Sequence, residues 1–139
     1  MSESILRDLA KELAVKIFNI CDKLEQKGCK GVFINQIVRS SSSIGANVHE
    51  ANYASSKADF INKLHIAAKE CFETEYWIEL MHATNCINQD TNNELINKVG
   101  LIRRMLAKSI NTAKCNLAKQ KEERKKQKLS RKGESKASR

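Results

Sequence analysis

Apolar residues recur along this chain at three- and four-residue steps, the spacing of one face of an α-helix, in four separate runs. Ile5, Leu6, Leu9, Leu13, Ile17, Ile20 and Leu24 draw the first stripe and predict a helix over roughly residues 4–27. Gly28-Cys29-Lys30-Gly31 ends it, with Gly28 suited to a left-handed cap. Phe33, Ile37, Ser41, Ile44, Val48 and Ala51 predict a second helix over roughly 32–54. In the third run Phe60, Leu64, Ala67, Cys71, Thr74, Ile78 and Met81 alternate steps of four and three, a heptad seam. Ser56-Lys57-Ala58-Asp59 opens that helix as a capping box with Asp in place of Glu. A second flank, Ile61, Ala68, Phe72 and Tyr76, widens its apolar arc and predicts a helix that is central or meets a neighbouring chain. Leu95, Val99, Ile102, Leu106, Ile110, Ala113 and Leu117 draw the fourth stripe, which the capping box Thr91-Asn92-Asn93-Glu94 introduces.

With no proline and five glycines in 139 residues, little interrupts these helices. Connections of a few residues force neighbours to run antiparallel, so the pattern predicts an all-α, up-down-up-down four-helix bundle. The length suits one domain. Residues 1–118 form the predicted bundle, and residues 119–139 a basic tail that passes from charged helix into disorder.

The second helix carries four consecutive serines, Ser40 to Ser43, residues that a packed helix tolerates where close helix approach or a buried polar seam uses them. Arg39, Ser43, Asn47 and Glu50, at spacings of 4, 4 and 3, share one side of the helix. Together with Glu75 on the third helix they make a candidate structural polar network, holding helices 2 and 3 in register or joining subunits.

Arg39-Ser40-Ser41-x-Ser43-Ile44-x-x-Asn47-Val48-x-Glu50-Ala51, then Ser56-Lys57-Ala58-Asp59-Phe60, then Lys69-Glu70-x-x-Glu73-Thr74-Glu75-Tyr76-Trp77, resembles the four-helix-bundle proteins of intervening sequences in bacterial 23S ribosomal RNA genes. The resemblance spans roughly residues 5–118; the family usually has glycine where this chain has Ala51 and alanine where it has His49. It implies a non-catalytic oligomer. A related branch, the accessory variability proteins of diversity-generating retroelements, forms pentamers that bind nucleic acid and a reverse transcriptase, so the resemblance implies a pentamer and a possible protein partner of that kind.

The formal net charge is +9, and it is concentrated at one end. Residues 119–139 hold ten Lys/Arg against three Glu, or +7, while residues 1–118 hold fifteen against thirteen, or +2. Lys119, Lys121, Arg124, Lys125, Lys126, Lys128, Arg131 and Lys132 are therefore candidate phosphate contacts, and Arg103, Arg104 and Lys108, with Lys114, extend the basic strip onto the fourth helix. Trp77, Tyr76 and Tyr53 do not sit among basic residues, so no stacking platform for bases is indicated and binding would be non-specific.

Other chemistries fit poorly. A di-metal carboxylate bundle needs two Glu-x-x-His motifs, and only Glu79-x-x-His82 is present. No nucleophile elbow and no phosphate loop occurs. No cofactor or metal is expected, and the protein is expected not to be an enzyme. Cys21, Cys29, Cys71, Cys86 and Cys115 are scattered and odd in number, which predicts reduced thiols. No apolar run reaches the roughly 20 residues of a membrane span, and the polar opening Met1-Ser2-Glu3-Ser4 is unlike a signal peptide. A bacterial cytoplasmic protein with no membrane partner is the expectation.

Overall fold

The structure, a computed structural model, describes residues 2–138, with side chains from residue 5 to 138. Helices α1 (Ser2–Gln26), α2 (Gly31–Ala51), α3 (Lys57–Ala83) and α4 (Gln89–Ala137) follow one another with short links. Among the described residues each packs on its two neighbours around the bundle and none across the diagonal, with α1 against α4 as the lightest seam. The four stripes read from the sequence meet at the centre, where Leu13, Ile17, Ile37, Ile44, Leu64, Ile78, Val99 and Leu106 are at most 2% exposed. Just after the serine segment α2 packs on α1: a Cβ placed on Gly45 would stand 3.6 Å from the Ala10 Cβ, an ordinary van der Waals contact.

The helix ends explain the differences from the predicted boundaries. At Gly28 (φ +82°) the chain enters the left-handed region, and Cys29 N–H bonds the Leu24 carbonyl while Gly28 N–H bonds that of Glu25. That pair of bonds is a Schellman motif. The C-terminus of α3 repeats it with Asn85 (φ +62°) in the glycine role, Cys86 N–H bonding Met81 and Asn85 N–H bonding His82. Helix α2 ends at Ala51 rather than 54, because successive bonds from Asn52, Tyr53 and Ala54 back to the third residue before each tighten the chain into a turn. Ser56 caps α3 as expected, accepting from Asp59 N–H at 3.1 Å, while the Asp59 carboxylate reaches back to Ser55 N–H at 3.2 Å.

The capping box at Thr91 is not formed. Asn88 is the cap, its side chain accepting from Thr91 N–H at 2.9 Å, and α4 starts at Gln89. Asparagine caps as well as threonine, and starting earlier places Asp90 in the first turn, where its charge favours the helix dipole.

The tail also departs from expectation. Its helical part reaches farther than the sequence suggested: α4 continues to Ala137, 49 residues or about 74 Å at the usual rise, against 25 residues for α1. Lys, Arg, Glu, Gln and Ala are all strong helix formers, and only Ser130, Gly133 and Ser135 are weaker positions between Leu117 and Ala137. Gly100, farther up the same helix, adds nothing to the fold, because a Cβ there would meet only the flexible end of Arg104, at 3.1 Å. Gly100→Ala should therefore raise stability by about 0.5–1 kcal/mol, read as a higher denaturation midpoint with an unchanged slope.

Candidate nucleic-acid interface

After Leu117 the side chains of α4 are exposed to its end, apart from a half-buried Gln120. Because the segment is helical, sequence spacing becomes geometry. Lys114, Lys121 and Lys128 stand seven residues apart, as do Arg124 with Arg131 and Lys125 with Lys132, so all seven fall within an arc of about 120°. That arc continues the line of Leu106, Ile110, Ala113 and Leu117; the face that is apolar inside the bundle becomes cationic outside it. Glu122, Glu123 and Glu134 lie outside the arc, and so do Lys119 and Lys126.

The three basic residues on the bundle part of α4 are not equivalent. Arg103 is engaged: its Nε donates to Glu75 Oε1 at 2.9 Å and its guanidinium lies 5.0 Å from the centre of the Phe72 ring. It ties α4 to α3, so its guanidinium is less free to meet a phosphate than the side chains of Arg104 or Lys108. Arg104 and Lys108 are exposed, on the helix side away from the cationic arc.

The predicted polar network resolves into separate pairs. Arg39 reaches across to α3, where it pairs with Glu73 and stands 3.5 Å from Glu70, and its Nε donates to Gln36 at 3.1 Å. Asn47 donates to the Ser43 carbonyl at 2.8 Å and to its hydroxyl at 3.1 Å, within one helix. Glu50 pairs with Lys63 at 3.0 Å, and Glu75 with Arg103. Sharing a helix face is not contact. Arg39 needs long acidic partners across the groove, and Glu70 and Glu73 project there while Glu75 turns toward α4. The buried polar link between α2 and α3 is instead Ser40 with Thr74, both fully buried, their hydroxyls 2.9 Å apart.

The carboxylates beside Arg39 respond oppositely. The hydrogen bond from Arg39 holds Glu73 below its ordinary value, with Trp77 Nε1 donating to the same oxygen at 3.2 Å. Burial pushes Glu70 up, more than Arg39 pulls it down. Ionised Glu73 thus contributes stability that is present above pH 4.5 and lost as pH falls through its lower folded value. Ionised Glu70 costs stability above its raised folded value, a cost relieved as pH falls toward 4.5. Glu73→Gln should lower the melting temperature at pH 7 and Glu70→Gln should hold or raise it. Melts repeated at successively lower pH should bring the two variants together once both carboxyls are protonated, Glu70 taking its proton first and Glu73 last.

Among the described residues no three His, Cys, Asp or Glu side chains gather as metal ligands, and no helix is long and apolar enough to cross a membrane. Burial raises the Cys21 thiol to about 11 and Cys71 to about 12, which leaves both unreactive in the core. At the root of the exposed arm, a groove of about 600 Å³ opens between the α2–α3 link and α4, lined by Phe60, Met105 and Ala113 with Lys57 and Lys108.

A protein of unknown function from the S23 ribosomal protein family of Bacteroides thetaiotaomicron has a similar crystal structure, 41% identical, with a TM-score of 0.77 over 80% of this chain and 99% of that one. No functionally curated protein matches. The model of the 23S rRNA-intervening sequence protein family matches residues 3–108, which takes in α1, α2, α3 and the first part of α4 and stops short of the exposed arm. With its four stripes, its serine-asparagine segment and this match over most of its length, the chain belongs to the 23S rRNA-intervening sequence protein family.

Proposed function

We propose that the protein is a non-enzymatic, self-associating bundle that binds nucleic acid, RNA or DNA, through the exposed arm of α4. One observation carries the reading: helical spacing collects Lys121, Arg124, Lys125, Lys128, Arg131 and Lys132 on one face and leaves the glutamates off it. A cationic face of this kind neutralises phosphates and releases counterions without reading bases. Self-association is supported by Phe72 and Tyr76, which α3 leaves 57% and 54% exposed on the flank predicted to meet another chain. A pentamer is the first assembly to test, on the resemblance to the barrel-forming retroelement proteins.

The test compares the full chain with residues 1–118, each titrated against one RNA and one duplex DNA at several salt concentrations. Affinity should fall on truncation, and for the full chain log affinity should fall linearly with log salt, by about 0.9 per phosphate on duplex and 0.7 on single strands. Light scattering on both preparations should return a multiple of the monomer mass, 15.7 kDa for the full chain. Equal affinity of the two forms would move the site to the bundle surface around Arg103, Arg104 and Lys108.

The same aromatic flank and the groove beside Phe60 support a second reading, a protein-interaction scaffold or accessory subunit of a reverse transcriptase or another nucleic-acid enzyme. Absence of binding to either nucleic acid would favour it.

A further inference from the structure

The Schellman motifs that end α1 and α3 lie at the same end of the bundle, and each has cysteine as the third residue beyond its helix. Cys29 and Cys86, 57 positions apart, are brought face to face: the Cys29 thiol donates to Cys86 Sγ across 2.8 Å. Both backbones are pinned, since each cysteine N–H bonds a carbonyl of the helix it follows. Both side chains are half-buried against the edge of the core, and neither is bonded to another sulfur. They differ in access. Cys86 lines a surface groove of about 560 Å³ whose charged members are Lys23 and Lys27, with no carboxylate in its lining, and Cys29 is not among the lining residues. Burial and the neighbouring Cys86 sulfur raise the Cys29 thiol to about 11, and the groove gives an incoming reagent access to Cys86.

We propose that Cys29 and Cys86 form a redox-closable dithiol, which exchange with a small anionic disulfide converts into a bridge tying the α1–α2 turn to the α3–α4 turn. Cys86, as thiolate, attacks one sulfur of the disulfide RSSR; the S–S bond of RSSR breaks, RS⁻ leaves, and a mixed disulfide forms on Cys86. Cys29, deprotonated in turn, attacks Cys86 Sγ, the mixed disulfide breaks, and a second RS⁻ leaves. The two thiol protons end on the two released RSH, so the protein dithiol is oxidised and RSSR reduced by the same two electrons. Lys23 and Lys27 favour an anionic RSSR over a neutral one through the local potential.

The experiment uses the full chain with the exposed Cys115 removed as Cys115→Ser, incubated at low salt with oxidised glutathione or, in parallel, with neutral 2-hydroxyethyl disulfide. The expected product with glutathione has lost about 2 Da, yields a linked Cys29–Cys86 peptide, and melts roughly 10 °C higher until dithiothreitol restores the starting form. Added Cys29→Ser should trap the mixed disulfide on Cys86, and Cys86→Ser should leave Cys29 unmodified. A lasting mixed disulfide in the protein with both cysteines, or no change in its mass, would overturn the bridge. Equal rates for the charged and neutral disulfides would overturn the role of the lysines.

Discussion

Changing Lys121, Arg124, Lys128 and Arg131 together to glutamine should cut affinity for duplex DNA by about 100-fold or more near 0.1 M salt, and lower the log-log salt slope by about 3–4. All four lie on the cationic arc, and none touches the bundle. Glutamine keeps a good helix former at each position, so the arm stays helical and the bundle melts unchanged. The matched control is Lys119→Gln with Lys126→Gln, which removes charge from the other side of the same helix. If the face matters, the control loses less affinity per charge removed; if only net charge matters, the two sets fall on one line. The comparison separates a presented surface from a cloud of positive charge, which truncation alone does not do.

The largest expected loss of stability comes from Ile44→Ala, at about 4 kcal/mol, in the upper part of the range for buried aliphatic truncations. Ile44 is fully buried on α2 and is flanked by small residues, Ser40 and Ser41 before it and Gly45 after it. Packing of α1 at Gly45 and the Ser40–Thr74 link to α3 fix both neighbouring backbones. No long, adaptable side chain on that stretch of α2 can swing into the space, so the cavity stays open and its cost is felt in full. Val15→Ala, on an α1 position that is 52% exposed, should change the denaturation midpoint by less than about 0.5 kcal/mol in equivalent stability. Chemical denaturation of the two variants side by side checks the contrast.

The fold was legible because each stripe repeats the helical period many times: the α3 seam from Leu64 to Met81 is buried at every predicted position. Gly28 was legible too, since a glycine after a long apolar stripe has few other uses. Asn85 was not, because asparagine enters the left-handed region only where the surrounding turn selects it. The polar network shows the limit most clearly. Spacing places Arg39, Ser43, Asn47 and Glu50 on one side of α2 but says nothing about what projects from the opposite helix. The partners of Arg39 lie 31 and 34 positions away, and the partner of Glu75 lies 28 away. The Cys29–Cys86 approach is a still longer-range consequence, fixed by two helix lengths and two turns together. The cationic arc was half-visible: composition gave the charge, while its arrangement on a face depended on the helix continuing to Ala137, against the sequence expectation.

Helix α4 is one uninterrupted helix under two regimes. Up to Leu117 its backbone hydrogen bonds are shielded by packed neighbours, whereas beyond that point no other element protects them. An isolated segment of about 20 residues is only marginally helical in water, and like charges along one face weaken it further. Amide hydrogens in the arm should therefore exchange within the time that those of Leu106 and Ile110 remain fully protected. A polyanion laid along the arm supplies the missing charge balance, so the same amides slow when it is bound, and ordering of the arm becomes part of the free energy of association.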